Sequence, residues 1–339
     1  PGVTGKQGRL SNGGSGRTDM KPVILVTRKL PDAVESRLSR DYDPILNPTD
    51  TLYSSDDIVA RAAEVDAILP CHTEKFDEAV INRLPERVKI IANFSVGYDH
   101  VDTQAARKRG LVVTNTPDVL SDATAETTIM LMLGAARRAS EGERLVRTRQ
   151  WKDWSPSFMV GTQITGKRLG IIGFGRVGQV VARRAARGFD MEIHYHNRSR
   201  VAHELEDGAT YHATPEELLP HCDVLALHCV ASPETTGLLN ADRIKLLPDG
   251  AIVVNASRGV VIDDKALVTA LKSGKLFAAG LDVFNNEPDI HPEYRELDNV
   301  FLMPHIGSAT KETRIAMGYR ALDNLDAFFA GQEPGDRVA

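Results

Sequence analysis

A chain of 339 residues with 41 Lys and Arg against 46 Asp and Glu has a formal charge of −5, which gives no electrostatic reason to bind nucleic acid or an anionic membrane. Its hydrophobic share of 42% and charged share of 26% are those of a soluble globular protein long enough for two domains with separate cores. Cys71, Cys222 and Cys229 lack metal-ligand spacing and favour a reducing, cytoplasmic setting over a disulfide framework, and the longest apolar run, 129–136, is far too short to span a bilayer.

Residues 1–19, "PGVTGKQGRLSNGGSGRTD", are Gly-rich and nearly free of large apolar side chains, so they read as an expression tag or disordered tail ahead of Met20. From there, short apolar runs alternate with helical stretches. "VILVT" (23–27), "DAILP" (66–70), "KIIANF" (89–94) and "LVVTN" (111–115) are strand-like, with helical segments between them. Strands separated by helices predict a parallel sheet covered on both faces. One long helical pattern follows over 118–151, and its stretch 123–136 is apolar nearly all round, as in a helix buried between domains or subunits. A second alternating unit begins at "KRLGIIGFG" (167–175) and continues through "EIHYHN", "VLALHC", "AIVVNAS", "AAGLDVF" and "VFLMP" (300–304). The chain ends on another helical segment. Periodicity does not decide whether that last helix returns to the first unit.

Gly173-Phe174-Gly175-Arg176-Val177-Gly178 follows an apolar strand and opens a helical run. G-x-G-x-x-G in that context predicts dinucleotide binding. Gly173 permits the tight turn, Gly175 lets backbone approach a pyrophosphate, and Gly178 brings helix against strand. The helix N-terminus then offers free N–H groups to the phosphates.

The second strand of such a unit normally ends in an acid that bonds the ribose 2′-hydroxyl of NAD. Here "HYHNRSR" (194–200) ends on Asn197, Arg198, Ser199 and Arg200 instead. A carboxylate would repel a 2′-phosphate, whereas two arginines beside a serine attract one. Each charge-assisted bond contributes roughly 1.5–3 kcal/mol, so two would favour NADP(H) on the order of 10²-fold or more. NADP(H) is therefore the expected cofactor, with NAD(H) possible; a solvated basic loop is the alternative.

Arg258, Glu287 and His305 each follow a strand-like run, and ligands of open parallel sheets sit at the carboxyl ends of strands. The three suit reduction of a 2-keto acid. A guanidinium grips the carboxylate and polarises the neighbouring carbonyl. An imidazole delivers the proton, and a carboxylate orients it and stabilises its charged form.

"NASRG" (255–259), "GLDVFNNEP" (280–288), "PHIGSAT" (304–310), "GFGRVG" and "FSVGYDHVD" (94–102) occur in one order from about Met20 to the C-terminus. In this the chain resembles the D-isomer-specific 2-hydroxyacid dehydrogenases, and "TPDVLSDATAE", "LMLGAARR" and Trp151-x-x-Trp154 look most like their glyoxylate/hydroxypyruvate reductase branch. The resemblance implies two doubly wound α/β domains, a Rossmann cofactor domain (119–304) inserted into a flavodoxin-like substrate domain (20–118 and 305–339). It implies Arg258 as substrate binder, His305 as acid/base and Glu287 as its partner. Ser95, Val96 and Gly97 would present backbone N–H groups to the substrate carboxylate. Cys229, Val230, Thr235, Ala256, Ser257, Arg258, Asp282, His305 and Gly307 would line the cofactor cleft, with Asp282 facing the nicotinamide carboxamide. Val230 departs from the proline common in the family. Cys71 and His72 either border the substrate pocket or pack. A homodimer joined through the cofactor domains is expected, with the apolar stretch 123–136 as its surface.

The activity so implied is NADPH-dependent reduction of glyoxylate and hydroxypyruvate to glycolate and D-glycerate. Two other readings stay open: a sibling enzyme for a bulkier 2-keto acid, and a non-catalytic nucleotide-sensing protein of the same fold. The absence of a long additional tail disfavours the latter, and the Glu287–His305 pairing disfavours a formate dehydrogenase.

Overall fold

The computed structural model describes residues 21–339; the tail over 1–19 and the start at Met20 lie outside the described residues. Val23–Val26 (β1), Asp43–Ile45 (β2), Ala67–Leu69 (β3), Ile90–Ala92 (β4) and Val112–Thr114 (β5) form a parallel sheet in the order β2-β1-β3-β4-β5. Arg168–Ile172 (β6), Glu192–His196 (β7), Thr210–His212 (β8), Val224–Leu227 (β9), Ala251–Asn255 (β10), Leu276–Leu281 (β11) and Val300–Leu302 (β12) form a second, ordered β12-β11-β10-β9-β6-β7-β8. These are the flavodoxin-like and dinucleotide-binding doubly wound orders, each with a switch point where ligands bind.

Every apolar run expected as a strand forms one. The central strands are buried on both faces, Leu225 and Val253 against one helical layer and Ile171 and Val254 against the other, which is why they are continuously apolar. Two strands escape sequence reading. β2 (DPI) and β8 (TYH) are three-residue edge strands with exposed or half-buried side chains, so neither carries an apolar run.

The single helix expected over 118–151 is instead two, Ser121–Ala136 and Ala139–Arg147. Arg138, at φ 54°, makes the break. The carbonyl of Ala136, which a continuing helix would need, accepts from the N–H of Thr162 at 2.9 Å, and Gly161 is pressed so closely on it that a Cβ would overlap. A segment distant in sequence therefore ends the helix. The inner face of Ser121–Ala136 packs Ala125, Leu131 and Met132 onto the seven-stranded sheet, with Gly280 abutting Leu131. Its outer face, with Glu126, Ile129, Met130 and Leu133, lines a shallow depression together with Phe301.

The last helix, Lys311–Phe329, lies on the first sheet, burying Met317, Ala321, Leu322 and Leu325 with Ile24, Leu69 and Ile90. Arg37 bonds Asp323 at 2.7 Å and Asp326 at 2.6 Å, and the C-terminal Ala339 carbonyl accepts from Val113 N–H at 3.1 Å. Among the described residues, no helix is long and apolar enough to cross a membrane.

Candidate active site

Strand order turns the carboxyl ends of both sheets toward one cleft. Beyond β4 lies Ser95-Val96-Gly97, beyond β10 Arg258, beyond β11 Asp282 and Glu287, and beyond β12 His305. Arg258 crosses the cleft: its Nε donates to Asp99 Oδ1 at 3.1 Å and its Nη1 to the Ser257 carbonyl at 2.9 Å. Nη2 makes no hydrogen bond with the described residues, leaving one arm of the fork for a ligand. A Cβ on Gly97 would overlap that arm. Gly97 is thus required by the guanidinium itself. Burial works to raise the Asp99 pKa, but the charge and hydrogen bond of Arg258 outweigh it and hold the carboxyl below its ordinary range. Ser95 turns its hydroxyl onto the Gly97 carbonyl at 2.6 Å, and the Val96 carbonyl accepts from Asn115 at 2.8 Å, so the loop is braced.

Nδ1 of His305 lies 2.7 Å from Oε2 of Glu287, whose other oxygen accepts from the N–H of Phe284 at 2.7 Å. Burial tends to raise the Glu287 pKa, but its bonds to His305 and Phe284 and the His305 charge prevail, and it stays below the usual carboxylate range. With Nδ1 bound by Glu287, Nε2 of His305 is the atom left to exchange a proton with a ligand. His305 sits in the left-handed region at φ 55°, where a side chain is held only if its surroundings over-determine it. Asp282 does that. Its carbonyl accepts from His305 N–H at 2.8 Å, and its carboxylate from Ile306 N–H at 2.7 Å and Gly307 N–H at 2.8 Å. Asp282, only 1% exposed, therefore holds the 305–307 turn.

The glycine run fits a dinucleotide. Gly173 lies so close to the backbone of His228 and Cys229 that a Cβ would overlap it, and Gly178 lies equally close to the Gly173 carbonyl. At Gly175 a Cβ would meet nothing, so the approach to the helix N-terminus at Arg176 is open, as a pyrophosphate requires. Phe174 is buried and stacks on Tyr195 at 4.2 Å, Val177 is half-buried against the core, and Arg176 pairs with Asp118 across the domain connection. Ala256 is likewise half-buried, and Ser257 bonds Asn255 at 2.8 Å. Cys229 flanks Gly173; Val230 is 76% exposed at the cleft edge. The Thr235 hydroxyl donates to the Val230 carbonyl and accepts from Ser232 N–H, so it shapes this loop.

The basic loop divides its labour. Asn197 directly follows β7 and donates to the Ser199 carbonyl at 3.2 Å. Arg200 is exposed but engaged: its Nε and Nη2 grip Glu206 at 2.7 and 3.0 Å. Glu206, 4% exposed, also accepts from Tyr195 and His203, and these bonds, Arg200 foremost, pull its pKa down to about 2. Arg198 has no ion pair among the described residues and is exposed beside Ser199.

Three contributors escape or divide sequence reasoning. His72, for which pocket and packing roles were both open, puts its ring 4.6 Å from that of His305, and burial brings its pKa down to about 4. Asp99 stands inside "FSVGYDHVD" without any signal separating it from surface acids. Arg314, on the last helix, is half-buried, its side chain makes no hydrogen bond among the described residues, and burial lowers its pKa. Helical periodicity carries no sign of it.

Such a cleft can exchange hydride between a nicotinamide and a carbonyl whose carboxylate an arginine grips, which is the chemistry of nicotinamide-dependent dehydrogenases. The model of the D-isomer specific 2-hydroxyacid dehydrogenase NAD-binding domain matches residues 129–307. The chain is 43% identical over 315 residues to a glycerate dehydrogenase of Hyphomicrobium methylovorum, covering 92% of this chain and 98% of that one. It is 41% identical over 320 residues to a glyoxylate reductase of Pyrococcus furiosus, covering 93% and 94%. The fold is similar, at TM-score 0.83 and 34% identity over 94% of this chain and 97% of the other, to an NADPH-dependent glyoxylate/hydroxypyruvate reductase from Sinorhizobium meliloti in complex with NADP and malonate. The chain belongs to the D-isomer specific 2-hydroxyacid dehydrogenase family and is an NAD(P)-dependent enzyme.

Proposed function

We propose that this enzyme reduces small 2-keto acids, glyoxylate and hydroxypyruvate, to glycolate and D-glycerate, with NADPH preferred over NADH, in the cytoplasm. The observation that carries it is the Glu287–His305 pair at 2.7 Å facing the free arm of Arg258 across one cleft. Residues 20–118 with 305–339 serve as substrate domain and 119–304 as cofactor domain. When bound, the nicotinamide supplies the hydride. Arg258 grips the substrate carboxylate and polarises the carbonyl, and the Val96 and Gly97 N–H groups complete the grip. His305 gives its Nε2 proton to the carbonyl oxygen while ionised Glu287 holds the ring in place. The unpartnered charge of Arg314 adds to the attraction for an anionic substrate. A kcat/KM panel of 2-keto acids with NADPH and with NADH tests this; a bulkier keto acid leading the panel would shift the assignment to a sibling enzyme.

Preference for NADPH rests on the missing acid at Asn197 and on Arg198. With Arg200 committed to Glu206, one charge-assisted bond remains, and selectivity should be about 10–150-fold, from roughly 1.5–3 kcal/mol. Arg198→Ala should remove most of it by raising the KM for NADPH while leaving that for NADH unchanged. Arg200→Ala should instead lower Tm and weaken both cofactors alike. Equal effects of Arg198→Ala on both cofactors would place it outside the 2′-phosphate site.

A homodimer joins through the apolar outer face of Ser121–Ala136, where Met130 is exposed and Ile129, Leu133 and Phe301 flank it. Light scattering at micromolar concentration should give twice the chain mass, and a monomer mass would refute the pairing.

A further inference from the structure

We propose that His72, Glu287 and His305 form a site for one divalent transition-metal ion, of which zinc is the best match, and that the ion takes the place of the proton this cleft must hold to reduce a keto acid. Ligand atoms of the three side chains all lie within 4.8 Å of one another. Two imidazoles and a carboxylate are a donor set zinc accepts, with the fourth position left to water or a ligand. Two atoms about 2.0–2.1 Å from one ion stand about 3.3 Å apart at the tetrahedral angle, whereas His305 Nδ1 and Glu287 Oε2 are 2.7 Å apart. A small opening of that pair admits the ion.

His72 makes the site complete. It is half-buried, makes no side-chain hydrogen bond among the described residues, and stands 4.6 Å ring to ring from His305. Metal ligands bind through a free lone pair, and the His72 ring, which no hydrogen bond claims, has one to offer. The Phe284 N–H on the other Glu287 oxygen fixes the carboxylate, as supporting bonds do in metal sites. Arg258 opposes a cation here; the carboxylates of Glu287 and the nearby Asp99 offset it.

The exchange balances simply. The proton between His305 and Glu287 goes to solvent, the ion bonds both atoms and His72, and nothing is oxidised or reduced. The His305 ring then keeps its Nε2–H only as a neutral, metal-bound imidazole, a far weaker acid than the imidazolium that reduction uses, so the ion acts as an inhibitor.

The test titrates the chelator-stripped full chain with zinc chloride by calorimetry in a non-coordinating buffer. One ion per chain should bind with net proton release. His72→Leu and Glu287→Gln should each weaken binding by about tenfold or more, with His72→Gln standing in should His72→Leu fail to fold. His212→Ala is the control, because His194, His212 and His221 cluster separately at the β7–β8 edge, and it should leave binding intact. No binding by the parent, unchanged binding in the His72 variants, or loss only in His212→Ala would each overturn the proposal. In a second arm, zinc should inhibit turnover of glyoxylate and NADPH over the concentration range in which it binds. That arm alone rests on the proposed activity: binding without inhibition refutes displacement of the proton, whereas no turnover with any keto acid refutes the activity and leaves the calorimetric result standing.

Discussion

His305→Gln should lower kcat by roughly 10²–10⁴-fold for both keto acid reduction and hydroxy acid oxidation, the usual worth of a positioned acid/base. Glutamine keeps much of the volume but cannot shuttle a proton. Glu287→Gln acts differently, because it leaves the imidazole and removes only the charge beside it. Glu287 is ionised through the neutral range, its pKa being held down against burial by His305 and the Phe284 N–H. The carboxylate orients the ring and supports the charge it carries while protonated. Glu287→Gln should therefore lower kcat for reduction, which draws on the protonated ring, by more than kcat for oxidation, which starts from the neutral one. The stability that the pair adds through Glu287 is present above the ordinary carboxylate pKa and is lost as pH falls through the depressed one. Single-turnover rates in both directions, with hydride transfer shown to limit them, decide the matter. Rates unchanged in both directions would reduce Glu287 to a surface carboxylate.

Gly97→Ala should lower kcat/KM for the keto acid by about 10–10²-fold, matching the loss of a charge-assisted bond of roughly 1.5–3 kcal/mol. The new methyl would overlap Nη2 of Arg258 and come within 2.8 Å of its Cζ. The end of an arginine moves more readily than backbone, but this one is tethered at Nε by Asp99 and at Nη1 by the Ser257 carbonyl. Displacing it breaks those bonds and misdirects the grip. The loss should fall on keto acid kinetics while the KM for NADPH holds, because the glycine cradle at Gly173–Gly178 lies in the other sheet. An equal loss in NADPH binding would mean the substitution disturbs how the domains meet.

Much was legible in the sequence because it is local. Continuous apolar runs such as "RLGII" and "AIVVN" mark doubly covered parallel strands, and the glycine run needs only its neighbours to announce a phosphate turn. Placement of Arg258, Glu287 and His305 after such runs located them at strand ends, where open sheets bind ligands. Edge strands β2 and β8 stayed hidden, since three half-exposed residues bury too little to leave a pattern. Other features belong to contacts between distant segments. Thr162 takes the Ala136 carbonyl and breaks a helix that periodicity would have continued. Glu206, six residues on, claims Arg200 and leaves Arg198 without an ion pair among the described residues, although the two arginines look alike in "NRSR". That the Asp282 carboxylate holds the Ile306 and Gly307 N–H groups leaves no mark in the sequence. His72 reaches His305 only because two sheets turn their carboxyl ends toward one cleft. Residue type and spacing thus determined the fold class and the chemistry on offer. Which of several equivalent side chains is free to act was decided by the tertiary structure, because hydrogen-bond partners and burial arise from packing between segments far apart in the chain.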